Sequence, residues 1–183
     1  GVQAVEPQGN ADQQFIEGLR ERHLYRLAQT FCLEQLSRTD LPEARRAQLV
    51  VQLSQCFAEQ ALHTKPGERE ALWQQAVTVT ERFTDEYPES MQWPKVRLQT
   101  ALVLLAHGES LRRQLELSSQ PGDLPEEAYD SLHSSIDITD QLDQFLASRL
   151  RAASRPASAP EDDLSEGELR WLQIQAQFYN ALA

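Results

Sequence analysis

The feature that most constrains this chain is the recurrence of apolar residues at intervals of three and four along its length, with no segment alternating at period two. Leu24, Leu27, Ala28 and Phe31 share one side of a helix. Ala47, Val50, Val51, Ser54, Phe57, Ala58, Ala61 and Leu62 share another. Leu49, Leu53 and Cys56 give that second helix a further apolar side, so it is expected to be buried from two directions. Leu72, Ala76, Val79, Phe83 and Tyr87 form the next stripe, and Leu98, Ala101, Leu102 and Leu105 the one after. Leu132, Ile136, Thr139, Leu142 and Leu146 mark a long helix, and Leu169, Leu172, Ala176 and Tyr179 the last. Stripes of this kind bury against other helices. The expected fold is all-α, a stack of antiparallel helical hairpins without a sheet. Glycine supports this: 7 in 183 residues leaves few breaks.

Punctuation divides the stripes into about eight helices, over 12–22, 24–37, 43–63, 68–87, 94–107, 109–118, 125–150 and 165–182. "DLPE" opens two of them, at Asp40 and Asp123, with proline where the first helical N–H is unpaired and an acid at the positive end of the dipole. Ser165 to Glu168 reads as a capping box. Pro66-Gly67 is expected to separate two helices, and His107-Gly108 to stop one. Residues 1–11 are expected to be disordered or extended, 12–118 to form the helical repeats, and 123–183 to form a long C-terminal hairpin with a mobile loop at 151–164.

A net charge of −11 argues against nucleic acid or an anionic membrane as partner, since both require a basic face. No apolar run reaches the roughly 18 residues of a spanning helix. Val2-Gln3-Ala4 fits the end of a cleaved export signal, which favours an exported or periplasmic chain over a cytoplasmic one, while Gly1 also fits a tag remnant. With a turn at Asp40, Cys32 and Cys56 would be offset by about 12 Å along antiparallel helices, so two separate buried thiols are expected.

The segment "ALWQQAVTVTERFTDEYPES" resembles the second helix of a tetratricopeptide (TPR) unit, through Ala76, Phe83, Tyr87 and Pro88. "KVRLQTALVLLAHGES" is similar to the first helix of a following unit, with Leu98, Ala101, Leu102 and Leu105 in its core and Gly108 at the turn. "FIEGLRERHLYRLAQTFCLEQL" resembles the opening of large exported TPR proteins of planctomycete type. The resemblance spans about 12–118, with spacings that depart from the standard unit of about 34 residues. It implies protein–protein binding rather than catalysis. "GELRWLQIQAQFYNALA" reads either as the first helix of a further pair, in a longer protein, or as a helix closing back on 125–150.

His23, His63, His107 and His133 have no metal-ligand spacing, and His63 and His107 are expected at helix C-termini. Asp137, Asp140 and Asp143 share one side of a helix and read as a solvated stripe. Neither a nucleophile elbow nor a phosphate loop is present, and no cofactor or metal is expected. The candidate partner-binding residues are Arg45, Arg46, Lys95 and Arg97, early in two first helices, together with Trp73 and Trp93. Basic residues on a concave face would favour an acidic peptide. Asparagine occurs only at Asn10 and Asn180, so the Asn/Lys clamp that some TPR domains use is missing. The expected function is a non-catalytic scaffold or adaptor for a protein or peptide. The alternatives are a structural segment of a larger envelope protein and an enzyme domain, which would need a buried His and carboxylate cluster.

Overall fold

The computed structural model describes residues 8–118, 122–153 and 164–182. They form seven helices: α1 (Gln8–Glu21), α2 (Tyr25–Leu36), α3 (Glu43–Leu62), α4 (Pro66–Glu86), α5 (Trp93–Leu117), α6 (Glu126–Ala153) and α7 (Glu166–Leu182). No strand occurs among the described residues. The fold is the all-α stack that the apolar spacing requires.

Two boundaries move outward from their expected places. Helix α1 begins at Gln8 and α6 runs to Ala153; the rest of the extended N-terminus and most of the mobile loop expected at 151–164 lie outside the described residues. Pro66 and Gly67 fall in the first turn of α4 rather than between helices. A proline there sacrifices no hydrogen bond, because the first N–H groups of a helix have no partner within it.

The largest departure is at His107-Gly108, where one continuous α5 replaces the two helices expected at 94–107 and 109–118. Gly108 acts here through its missing side chain. A Cβ at this position would lie 2.6 Å from Leu132 Cγ and 3.2 Å from the Ala128 carbonyl oxygen of α6. Close approach of α5 and α6 is what the glycine permits, and the packing gained outweighs its poor helix propensity.

Each consecutive pair of helices is in contact and antiparallel. Ser54 bonds to the Ala76 carbonyl across α3 and α4, Thr100 to Thr80 across α5 and α4, and Ser135 to the Ala101 carbonyl across α6 and α5. The odd-numbered helices also touch in series, α1 on α3, α3 on α5 and α5 on α7. They run parallel, as the links Asp12–Arg45, Gln55–Gln99 and Lys95–Glu168 show. Among the described residues the backbones of α2, α4 and α6 do not approach one another, and a cleft lined by Leu33, Leu36, Arg46, Val79 and Phe83 opens between α2 and α4. A stack closed on its odd layer and splayed on its even layer curves, with the odd helices on the concave side.

The interior is a row of apolar clusters. Ile16, Ala28, Cys32, Leu49, Leu53 and Cys56 join the first three helices. Ala47, Val50, Phe83 and Val96 fill the next seam, where Phe83 stacks on Tyr87 at 5.0 Å as α4 ends. Ala61, Trp73, Ala76 and Val103 follow, and a larger group from Leu98 to Ala176 binds α5, α6 and α7. Cys32 and Cys56 are free thiols, both fully buried in the first cluster. They do not stand apart as the count from Asp40 implied. The bonds Gln29–Gln60 and Tyr25–His63 set a register in which Cys56 lies opposite Cys32, because α3 projects past the end of α2 through the connector 37–42. Contact with Cys56 and burial together push the Cys32 thiol well above the usual range, which keeps it protonated.

The Gly108 contact yields the first prediction. Gly108→Val should destabilise the fold by about 1–3 kcal/mol through overpacking. Gly67→Ala, whose added Cβ meets nothing within 4 Å, should be neutral or stabilise by up to about 1 kcal/mol. Urea unfolding of both variants checks this, and equal midpoints would show that the α5–α6 approach is not close.

Candidate functional site

An open groove of about 670 Å³ lies on the concave layer, between α3, α5 and α7. Periodicity places its lining. Arg45, Gln48, Gln52 and Gln55 follow one side of α3, and Lys95, Leu98, Gln99 and Leu102 one side of α5. Glu168, Trp171, Leu172 and Gln175 do so on α7. The α3 side of the groove is rich in carboxamides, and the α7 side sets Trp171 and Leu172 between Glu168 and Gln175.

Hydrogen bonds fix the polar half. Arg20 of α1 is paired with Glu59 and donates to Gln52 Oε1 at 3.0 Å and Gln55 Oε1 at 2.7 Å. Gln55 Nε2 donates to Gln99 Oε1 at 3.3 Å, and Gln48 Nε2 to Gln13 Oε1 at 2.6 Å. The two cations of the lining are each held by an acid, Arg45 by Asp12 at 2.7 Å and Lys95 by Glu168 at 2.9 Å. Glu168 also closes the capping box of α7: it accepts from Ser165 N at 3.0 Å, while its own N–H donates to Ser165 Oγ at 3.2 Å. With Lys95 first and the Ser165 donors next, its carboxyl is held down at about 2.

The six expected residues separate. Arg45 and Lys95 line the groove. Arg46 instead donates to the carbonyls of Leu36 and Arg38, both at 3.1 Å, and so caps the end of α2. Arg97 lies off the groove, its guanidinium 5.9 Å from the Trp93 ring centroid; burial lowers its pKa, with Glu81 and Asp85 opposing. Trp93 is half-buried against Phe145, with ring centroids 5.4 Å apart. Trp73 is 3% exposed and stacks on His107, so its ring belongs to the interior. The tryptophan at the groove is Trp171, 57% exposed. Its position beside the apolar stripe of α7 was visible in the sequence; that a groove would form next to it was not.

Two polar clusters serve packing. Asp143 accepts from Gln173 at 2.9 Å and Gln177 at 2.8 Å, and Asp140 accepts from Asn180. Asp140 and Asp143 thus tie α7 to α6, while Asp137 and Asp140 lie exposed on the expected stripe. His107 lies in the middle of α5, buried, and not at a helix end. Its Nδ1 is 3.1 Å from Ser131 Oγ, and its Nε2 is 3.0 Å from Glu70 Oε2, although not aligned for a hydrogen bond. Ser131, His107 and Glu70 therefore link α6, α5 and α4. No group of three or more His, Cys, Asp or Glu side chains able to hold a metal occurs among the described residues, and no described helix is long and apolar enough to cross a membrane. No protein-family model matches this sequence, and no curated protein or solved structure is significantly similar to it.

Glu168 gives a pH dependence whose sign is set by its depressed value. Its stabilising contribution is complete above the ordinary carboxyl range near 4.5 and is lost as pH falls towards about 2. The side chain is 49% exposed, so solvent limits the effect to roughly 1 kcal/mol or less. Thermal unfolding between pH 6 and pH 2 should show a steeper loss for the wild type than for Glu168→Gln. Parallel curves would show that the Lys95 and Ser165 contacts contribute nothing.

Proposed function

We propose that this protein is a non-catalytic interaction scaffold built of TPR-like hairpins, which receives a segment of another protein in its concave groove. The observation that carries this reading is the pairing, in one groove, of an exposed tryptophan with a wall of ordered carboxamides. A large aromatic beside fixed hydrogen-bonding groups is what protein recognition uses at its energetic centres. The Ser131–His107–Glu70 link is the arrangement nearest to a catalytic one among the described residues, and we read it as packing between α6, α5 and α4. A serine nucleophile needs donors for the developing oxyanion, and the N–H groups around Ser131 lie inside α6, where the helix itself uses them.

A second reading, a structural segment of a larger envelope assembly, is favoured by the uncovered stripe on α7. Trp171, Ile174, Phe178 and Leu182 are all more than half exposed and follow one another at helical spacing.

Affinity capture from a lysate of the source organism separates the two. Trp171→Ala should reduce recovery of the groove's partner by about 30-fold, the effect of losing a central aromatic anchor. Ile174→Ala, on the exposed α7 stripe but outside the groove lining, should leave it unchanged. Equal recovery by both variants would move the binding surface elsewhere, and a chain that captures nothing would favour the structural segment.

A further inference from the structure

We infer that the groove takes an uncharged, extended peptide held by its backbone carbonyl oxygens, with an apolar side chain seated against Trp171 and Leu172. This rests on the scaffold reading above and specifies its ligand.

The inference starts from which amide atoms are already used. Arg20 holds the Oε1 atoms of Gln52 and Gln55, and Gln55 Nε2 holds Gln99 Oε1. The Nε2 groups of Gln52 and Gln99 make no hydrogen bond among the described residues, although both side chains line the groove. Gln52 is 7% exposed and Gln99 5%, so neither can swing out into bulk water. Neither amide can flip without setting its nitrogen against the Arg20 or Gln55 donors. The groove therefore presents N–H donors that the protein leaves open, which water meets in the free groove and a ligand's acceptors can take over.

Charge selects among acceptors. Arg20, Arg45 and Lys95 are each matched by Glu59, Asp12 and Glu168, so the groove carries no excess positive charge to reward an anion. The whole chain at −11 repels one. A neutral acceptor that recurs along a chain is the peptide carbonyl, which returns to the same side of an extended strand about every 6.7 Å. The opposite wall, with Leu98, Leu102, Leu164, Trp171 and Leu172, supplies the apolar contact. Basic residues suggested an acidic ligand from sequence; their pairing with acids reverses that preference.

The test uses the full chain and two labelled pools of twelve-residue peptides with blocked ends. One pool is free of charged residues, with Leu, Phe or Trp fixed at the centre. The other is the same pool carrying three aspartates. The uncharged pool should bind, and Gln52→Met and Gln99→Met should each weaken it about tenfold while circular dichroism stays unchanged. Amide-to-ester replacement in the best binder, which weakens a carbonyl acceptor, should cost a similar factor on the wild-type protein and needs no folded variant. A preference for the aspartate pool that disappears in Lys95→Glu would overturn the inference. So would uncharged binding that is indifferent to both glutamine variants and to the ester. Binding of neither pool also overturns it, while the scaffold reading is judged separately by the partner lost from Trp171→Ala.

Discussion

The close, polar-lubricated approach of neighbouring helices is the interaction on which the rest of this structure depends. At each of three successive interfaces a small buried hydroxyl bonds across to the next helix: Ser54 to α4, Thr100 to Thr80, and Ser135 to α5. All of these side chains are almost wholly buried, so each oxygen needs the partner it has. Small residues shorten the distance between axes, and Gly108 shortens it further where α5 meets α6. Helix α5 lies at the centre of the stack and touches α3, α4, α6 and α7 together.

The same logic explains why the groove is lined with amides. Helix α3 is buried towards α2 and α4 on its apolar sides, and its third side faces α1 and the concavity. Long polar side chains can satisfy one another there without carrying charge into a low-dielectric seam. Arg20 is the exception, and it is answered by Glu59 and two glutamine oxygens. That orientation passes along the amides in one direction, oxygens towards Arg20 and nitrogens away from it. The donor character of the groove thus originates in α1, outside the wall that displays it.

Much of the fold was legible because burial imposes a period. The stripes from Leu24 to Tyr179 locate the helices, and the capping box at Ser165 is present as read. Glycine misled because its two roles, ending a helix and admitting a neighbour, look alike in sequence, and only Leu132 and Ala128 decide between them. The cysteines misled because the register of a hairpin depends on how far one helix overshoots the other, which local pattern does not encode. At the site, the position of Arg45 and Lys95 early in α3 and α5 is what sets them along the groove. Gln52 and Gln99 left no signal: in a glutamine-rich chain, nothing local distinguishes an amide fixed by Arg20 from one in water. Asp140 and Asp143 were equally opaque, since their partners on α7 lie about 30 to 40 residues away.

Parallel packing of the odd helices explains why the groove's cations are spoken for. Parallel neighbours bring like ends of their dipoles together, so the starts of α1, α3, α5 and α7 gather positive potential. Arg45 and Lys95 sit in the first turns of α3 and α5 and add to it. Asp12 and Glu168, near the starts of α1 and α7, offset both the dipoles and the cations. An acidic ligand would have to displace these carboxylates and leave them beside a strongly acidic protein surface. A neutral chain of carbonyls asks for no such exchange. The arrangement that lets four helices lie parallel therefore also biases what the groove between them can hold.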